Sequence, residues 1–244
     1  MMFWMDLVFW CALGVAGAFA FRLLPAVWLC DYGETPGEAQ AAVHRRLRWW
    51  QIAALGLLCG ACTALLMLQC GPVFRTLRGT LGGLLAALFF SALLLAAVCD
   101  ARYGILPDEL LALAAAGAAG AWACGCFVHF AQWYAPFLGM AAGFFGLWAV
   151  QLLASKLYHT EAMGFGDVKL LGVCGFACGL GGLGVAVLLA VLAAALTFAV
   201  LLALKKAHRR DAFPFGPFLI GGTLFALCLR PLWLAALAWY LGRF

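Results

Sequence analysis

Gly164-Phe165-Gly166-Asp167-Val168-Lys169 is a short polar interruption in sequence otherwise apolar enough for a bilayer, and it opens a hydrophobic run, 168–204. About 30 Å of hydrocarbon accommodates roughly 20 helical residues, so a run of this length must turn. Gly179-Leu180-Gly181-Gly182-Leu183-Gly184 is the place for it. Working outward, similar apolar runs recur on both sides. They predict an all-α, polytopic membrane protein of about eight transmembrane helices, at about 3–24, 49–69, 80–99, 109–129, 135–155, 168–180, 184–204 and 216–241. Lipid offers no partner to backbone N–H and C=O groups, so the spans are helices and open sheets are excluded.

Composition supports this. Of 244 residues, 67% are hydrophobic and 10% charged, and the mean hydropathy is +1.05, far from a soluble domain. The sequence reads as a single transmembrane domain over 1–244 with short loops. The longest, 31–48, turns at Gly33, Thr35, Pro36 and Gly37 and continues into a basic amphipathic stretch suited to the inner membrane surface. The first span has no basic residue before its apolar core and carries Asp6, so it reads as an uncleaved anchor.

On alternate sides of the eight-span arrangement the basic residues divide unequally. One side receives Arg75, Arg78, Arg230 and Arg243, and the other receives the rest, including Arg45, Arg102, Lys156 and Lys169. Positive charge marks the cytoplasmic side. The net charge of +5 is therefore an orientation signal with anionic lipid as its partner, and no nucleic acid is needed to explain it.

The eleven cysteines lie mostly inside spans, where a thiol packs as a small apolar group. Cys59 and Cys62 form a C-x-x-C, but in mid-helix and with no second pair, so packing is the better reading than zinc and no metal site is expected.

Two carboxylates stand out against this background. Asp100 closes the third span and Asp167 opens the sixth, with two complete spans between them, so both emerge on one face, which the charge count makes cytoplasmic. Two carboxylates in contact share one proton, leaving an acid and a base near working pH. Such a pair can activate water against a peptide carbonyl and protonate the leaving amine. Gly164 and Gly166 would let a substrate strand lie close. Three plainer readings stand beside this. Asp167 also reads as a helix cap, Pro107-Asp108 as a proline turn plus cap, and Lys169 as either electrostatic support or a side chain snorkelling to headgroups. A transporter that binds protons or cations at Asp100 and Asp167 is the alternative from a different functional class.

Read together, the motifs carry a resemblance. Asp100-Ala101-Arg102-Tyr103-Gly104-Ile105-Leu106-Pro107-Asp108 resembles the D-x(6)-P-D segment of bacterial type IV prepilin peptidases, and Gly164 to Leu170 is similar to their G-x-G-D-x-K-L segment. Phe213-Pro214-Phe215-Gly216-Pro217-Phe218 resembles their P-F-G-P-F before the last span, and Arg22-Leu23-Leu24-Pro25 loosely resembles the R-L-P ending their first. The resemblance implies an intramembrane aspartic endopeptidase of the bacterial inner membrane, cleaving the basic leader from prepilins or pseudopilins at the cytoplasmic face. It implies Asp100 and Asp167 as the catalytic dyad. Gly164, Phe165, Gly166, Lys169, Pro107 and Asp108 are the expected substrate contacts.

The sequence departs from the family pattern in one respect. Many members carry two C-x-x-C pairs between the first two spans, where this chain has only the short loop 31–48 with Cys30 at its edge. A zinc-binding domain is therefore not expected, and proteolysis needs no cofactor. N-methylation of the new terminus with S-adenosylmethionine, which the family also implies, is put in question by the same departure.

Overall fold

A computed structural model of the chain describes residues 49–70, 76–127, 132–158, 164–205 and 214–242, with Ala12 alone before them. Every regular element among these is a helix: α1 (Trp49–Cys70), α2 (Leu77–Tyr103), α3 (Asp108–Ala123), α4 (Ala135–Tyr158), α5 (Phe165–Ala203), α6 (Gly216–Cys228) and α7 (Arg230–Leu241). Four of the described helices are long and apolar enough to cross a membrane, or up to five spans if the bent pair α6 and α7 counts as one. Apart from Ala12, the expected span at 3–24 lies outside the described residues, as do the loop 31–48, Arg22 to Pro25 and Phe213.

The expected boundaries shift in three places, each for a local reason. The span expected at 109–129 ends early, because Gly125 takes φ 82° and turns the chain after Ala123. Cys126 N–H then donates to Ala121 O at 2.9 Å and Gly125 N–H to Trp122 O at 2.8 Å, the paired bonds of a Schellman turn. The resulting 16-residue α3 is about 24 Å long, short of the hydrocarbon thickness.

The spans expected at 168–180 and 184–204 form one 39-residue element, broken at Gly179 with φ 65° and ψ 177°. That backbone conformation is open to glycine alone. Both sides of the break face α6. Cys178 Sγ lies 4.0 Å from Thr223 O, and a Cβ on Gly222 would run into Ala186 O.

The span expected at 216–241 is broken too, with α6 and α7 meeting at 79°. Pro231 has no N–H and its ring excludes the carbonyl four residues back. The carbonyls freed at the corner find side-chain donors instead. Gln69 Nε2 donates to Leu227 O and Cys228 O at 3.1 Å each, and Trp233 Nε1 donates to Ala226 O at 3.0 Å.

Helix α2 is the central element, burying Phe89, Phe90, Leu93 and Ala96 against its neighbours. Close approach depends on missing side chains. A Cβ on Gly117 of α3 would lie 2.8 Å from Leu85 O of α2, and a Cβ on Gly139 or Gly143 of α4 would run into the α5 backbone at Gly175 or Leu171. These are the small-residue seams that bring helices together in lipid, where water drives no apolar association. Helix α4 runs antiparallel to the first part of α5, since Gly139 meets Gly175 while Phe144 meets Phe165.

The contacts define two ends of the bundle. The last turn of α2 and the starts of α3, α5 and α6 share one end. At that end Arg102 Nη2 of α2 also donates to Gln51 Oε1 of α1 at 3.0 Å. The ends of α1, α3 and α6 and the start of α2 share the other. There Arg78 Nη2 donates to Ala123 O at 2.5 Å.

Candidate active site

Asp100 lies within α2, which runs on to Tyr103 before Gly104 ends it. Gly104 adopts φ 68°, and its N–H donates to Asp100 O at 2.9 Å. A residue with a side chain would be strained there. Asp100 is 7% exposed, and Gly216 N–H donates to its Oδ2 at 2.9 Å. Gly216 is the first residue of α6, so the donor is one of the amides a helix leaves unpaired at its N-terminus.

Asp167 sits in the first turn of α5, whose N-cap is Gly164 with no side-chain cap bond. Asp167 is therefore not the cap, although its charge still complements the helix dipole. Its carboxylate lies within Coulombic reach of Asp100. Its Oδ1 is buried without a hydrogen-bond partner, which marks it as an atom with unused bonding capacity.

The two glycines before it do different things from those expected. Gly164 has φ −65° and ψ 139°, open to any residue, and a Cβ there would meet nothing within 4 Å. Gly166 is helical, and its Cβ would lie 3.0 Å from Leu106 Cβ. Gly166 thus lets the four-residue connection between α2 and α3 pack against the start of α5.

Lys169 and Asp108 find each other. Lys169 Nζ lies 2.7 Å and 2.6 Å from the two Asp108 oxygens, and it also stands 5.4 Å over the Phe165 ring. The N-cap of α3 is the buried Pro107, with no side-chain cap bond, so Asp108 is an ion-pair partner and not the expected cap. The electrostatic reading of Lys169 is the one the structure matches. Phe165 is exposed and packs edge-on to Phe144 at 6.0 Å between centroids.

The two motif segments are therefore joined twice, by Gly166 on Leu106 and by Lys169 on Asp108, beside two carboxyls in very different settings. One is held by a fixed backbone donor, and the other presents an oxygen with none. A water or a substrate carbonyl between them would meet an acceptor and a donor, the requirement for acid and base catalysis by a carboxyl pair. No group of His, Cys, Asp and Glu among the described residues could hold a metal ion.

Gly216 escaped the sequence reading as a partner of Asp100. Its signal was a glycine flanked by Pro214 and Pro217 at the start of a helix, which marks the helix N-terminus but not what it faces.

Residues 87–203 match the type IV leader peptidase family. Three relatives are each named prepilin leader peptidase/N-methyltransferase. The one from Xanthomonas campestris is 36% identical over 125 residues, covering 49% of this chain and 41% of its own. The one from Burkholderia pseudomallei is 37% identical over 155 residues, covering 61% and 48%. The one from Bacillus subtilis is 30% identical over 141 residues, covering 58% and 54%. The matched part is thus about half the length of these curated relatives. No solved structure matches the chain.

Proposed function

Over residues 87–203 the chain belongs to the type IV leader peptidase family, and on that premise we propose that it is a membrane-embedded aspartic endopeptidase. Its substrates are type IV prepilins or pseudopilins, from which it removes the leader at the cytoplasmic face of the bacterial inner membrane. The observation that carries the reading is the convergence of Asp100 and Asp167 from separate helices at one end of the bundle.

In this mechanism one carboxyl of the pair is ionised and the other protonated. The ionised one takes a proton from water as its oxygen adds to the scissile carbonyl carbon, and the protonated one supports the carbonyl oxygen and then the departing amine. Gly216 N–H holds Asp100 in one orientation for this exchange. Asp167 Oδ1, with no partner of its own, is the oxygen that meets the water or the substrate. Phe165, exposed beside it, and Gly164, with open space around it, lie where an extended substrate backbone approaches. Pro107, Gly166, Lys169 and Asp108 hold the wall of that approach.

The sidedness rests on charge. Arg102 and Lys169 stand at the aspartate end and Lys156 closes the antiparallel α4 there, whereas Arg78 and Arg230 belong to the far end. This division follows the positive-inside rule with the dyad inside.

The relatives' names include an N-methyltransferase, which uses S-adenosylmethionine. Among the described acidic side chains, Asp108 is paired with Lys169, Asp100 accepts from Gly216 and Asp167 belongs to the proposed dyad, which leaves the exposed Glu109 of α3 for such a cofactor. No step is assigned to it.

The test is incubation of purified protein with a prepilin, followed by mass spectrometry of the new N-terminus. Asp100→Asn and Asp167→Asn should each abolish cleavage while the protein keeps its fold by circular dichroism. Full processing by either variant refutes the dyad.

A further inference from the structure

The far end of the bundle brings together two thiols that the proposed reaction does not use. Cys70 is the last residue of α1, and Cys126, 56 residues on, follows the Gly125 turn that closes α3. Cys70 Sγ donates to Cys126 O at 2.7 Å. Cys70 is 5% exposed and Cys126 1%.

The backbone on the Cys126 side is held at two points. The Schellman turn fixes Cys126 N–H on Ala121 O at 2.9 Å, and Arg78 of α2 grips Ala123 O. Gly82, also of α2, leaves the room that the Cys126 sulfur fills, since a Cβ there would run into it. With Cys70 Sγ already on the Cys126 carbonyl, linking the two sulfurs calls for side-chain rotation and little backbone travel.

We propose that Cys70 and Cys126 form a structural disulfide on the outer side of the membrane, tying the end of α1 to the connection between α3 and α4. The proposal rests on the orientation argued above, which turns this end toward an oxidising compartment where disulfides persist. The oxidant is a protein disulfide of the thiol-exchanging class. The Cys70 thiolate, on the more exposed of the two residues, attacks one of the oxidant's sulfurs and releases the other as a thiol. The Cys126 thiolate then attacks the Cys70 sulfur and releases the second. The pair loses two protons and two electrons, and the oxidant's disulfide is reduced to two thiols.

Closing this loop restricts the unfolded chain. The pair differs from Cys62 and Cys228, where Cys228 Sγ lies 3.7 Å from Cys62 O, in that Cys62 lies within α1 and not at its end.

The experiment uses the full chain in cells. After an acid quench the protein is denatured, alkylated with N-ethylmaleimide, digested with chymotrypsin and analysed by mass spectrometry, with and without prior reduction. The expected result is a linked pair of peptides carrying Cys70 and Cys126, lighter than their sum by about two hydrogens and lost on reduction. In Cys70→Ser, Cys126 should become alkylated without reduction. Alkylation of both residues in the unreduced wild-type protein overturns the proposal. Prepilin cleavage by the same preparation separates the two readings. Cleavage with both thiols alkylated refutes the disulfide alone, and a linked pair without cleavage refutes the peptidase alone.

Discussion

Replacing Gly216 by alanine tests whether the start of α6 sets the geometry of the dyad. Helix propensity alone favours the change by up to about 1 kcal/mol, so a variant judged on local sequence should be neutral or stabilised. The tertiary structure says otherwise. The new Cβ would stand 2.6 Å from Asp100 Oδ2 and 3.1 Å from its Cγ, about 0.8 Å inside an ordinary van der Waals contact of 3.4 Å. Asp100 is buried on the central helix, so the carboxyl must rotate away and the 2.9 Å bond from Gly216 N–H is lost.

A hydrogen bond to a charged group contributes about 1.5–3 kcal/mol. If all of it is lost from the transition state, cleavage slows roughly 10- to 150-fold. The assay is single-turnover cleavage of a prepilin by Gly216→Ala in detergent, alongside its thermal unfolding. A rate equal to wild type, with Tm unchanged, refutes the claim that this backbone donor positions Asp100. A slowed rate with Tm within a few degrees of wild type supports it.

Two further outcomes follow from the packing. The Lys169 and Asp108 side chains are 36% and 58% exposed, so their ion pair contributes at most about 1 kcal/mol to stability. Lys169→Met should lower Tm little but slow cleavage by loosening the joint between the two motifs. The exchange of Asp108→Lys with Lys169→Asp should recover part of the rate, and no recovery, or no loss in the single variant, refutes the joint. Gly139→Ala should destabilise the bundle strongly, because its Cβ would run into Gly175 O with backbone on both sides. Gly164→Ala, with nothing within 4 Å, should unfold like wild type. Equal thermal stability of these two variants contradicts the helix seam.

Hydropathy and spacing were sufficient for the helical class, because lipid leaves the backbone no alternative and a bilayer demands runs of a given length. The bounds of α1 and the start of α4 were legible for the same reason. Breaks inside apolar sequence were harder to read. Gly179 was recognisable as the first residue of a glycine cluster, but the end of α3 at Gly125 sits within a run whose hydropathy does not change, and at the Pro231 corner a single charge, Arg230, interrupts an otherwise apolar run. A left-handed glycine or a missing N–H acts on the backbone, and an average over side chains does not register it.

At the site, the chain order of Asp100 and Asp167 and the parity of the helices between them were enough to put both at one end. Which atoms meet there was not legible, since partners such as Lys169 and Asp108, or Asp100 and Gly216, are far apart in sequence and belong to different helices. The sequence by itself determined an all-helical membrane chain with two carboxyls on a common face, because burial of apolar surface and backbone pairing depend on local composition. Only the tertiary structure decided that a backbone amide of α6 holds Asp100 while Asp167 Oδ1 is left without a partner. Helix packing decides this, because at these distances the absence of one Cβ governs which groups can touch.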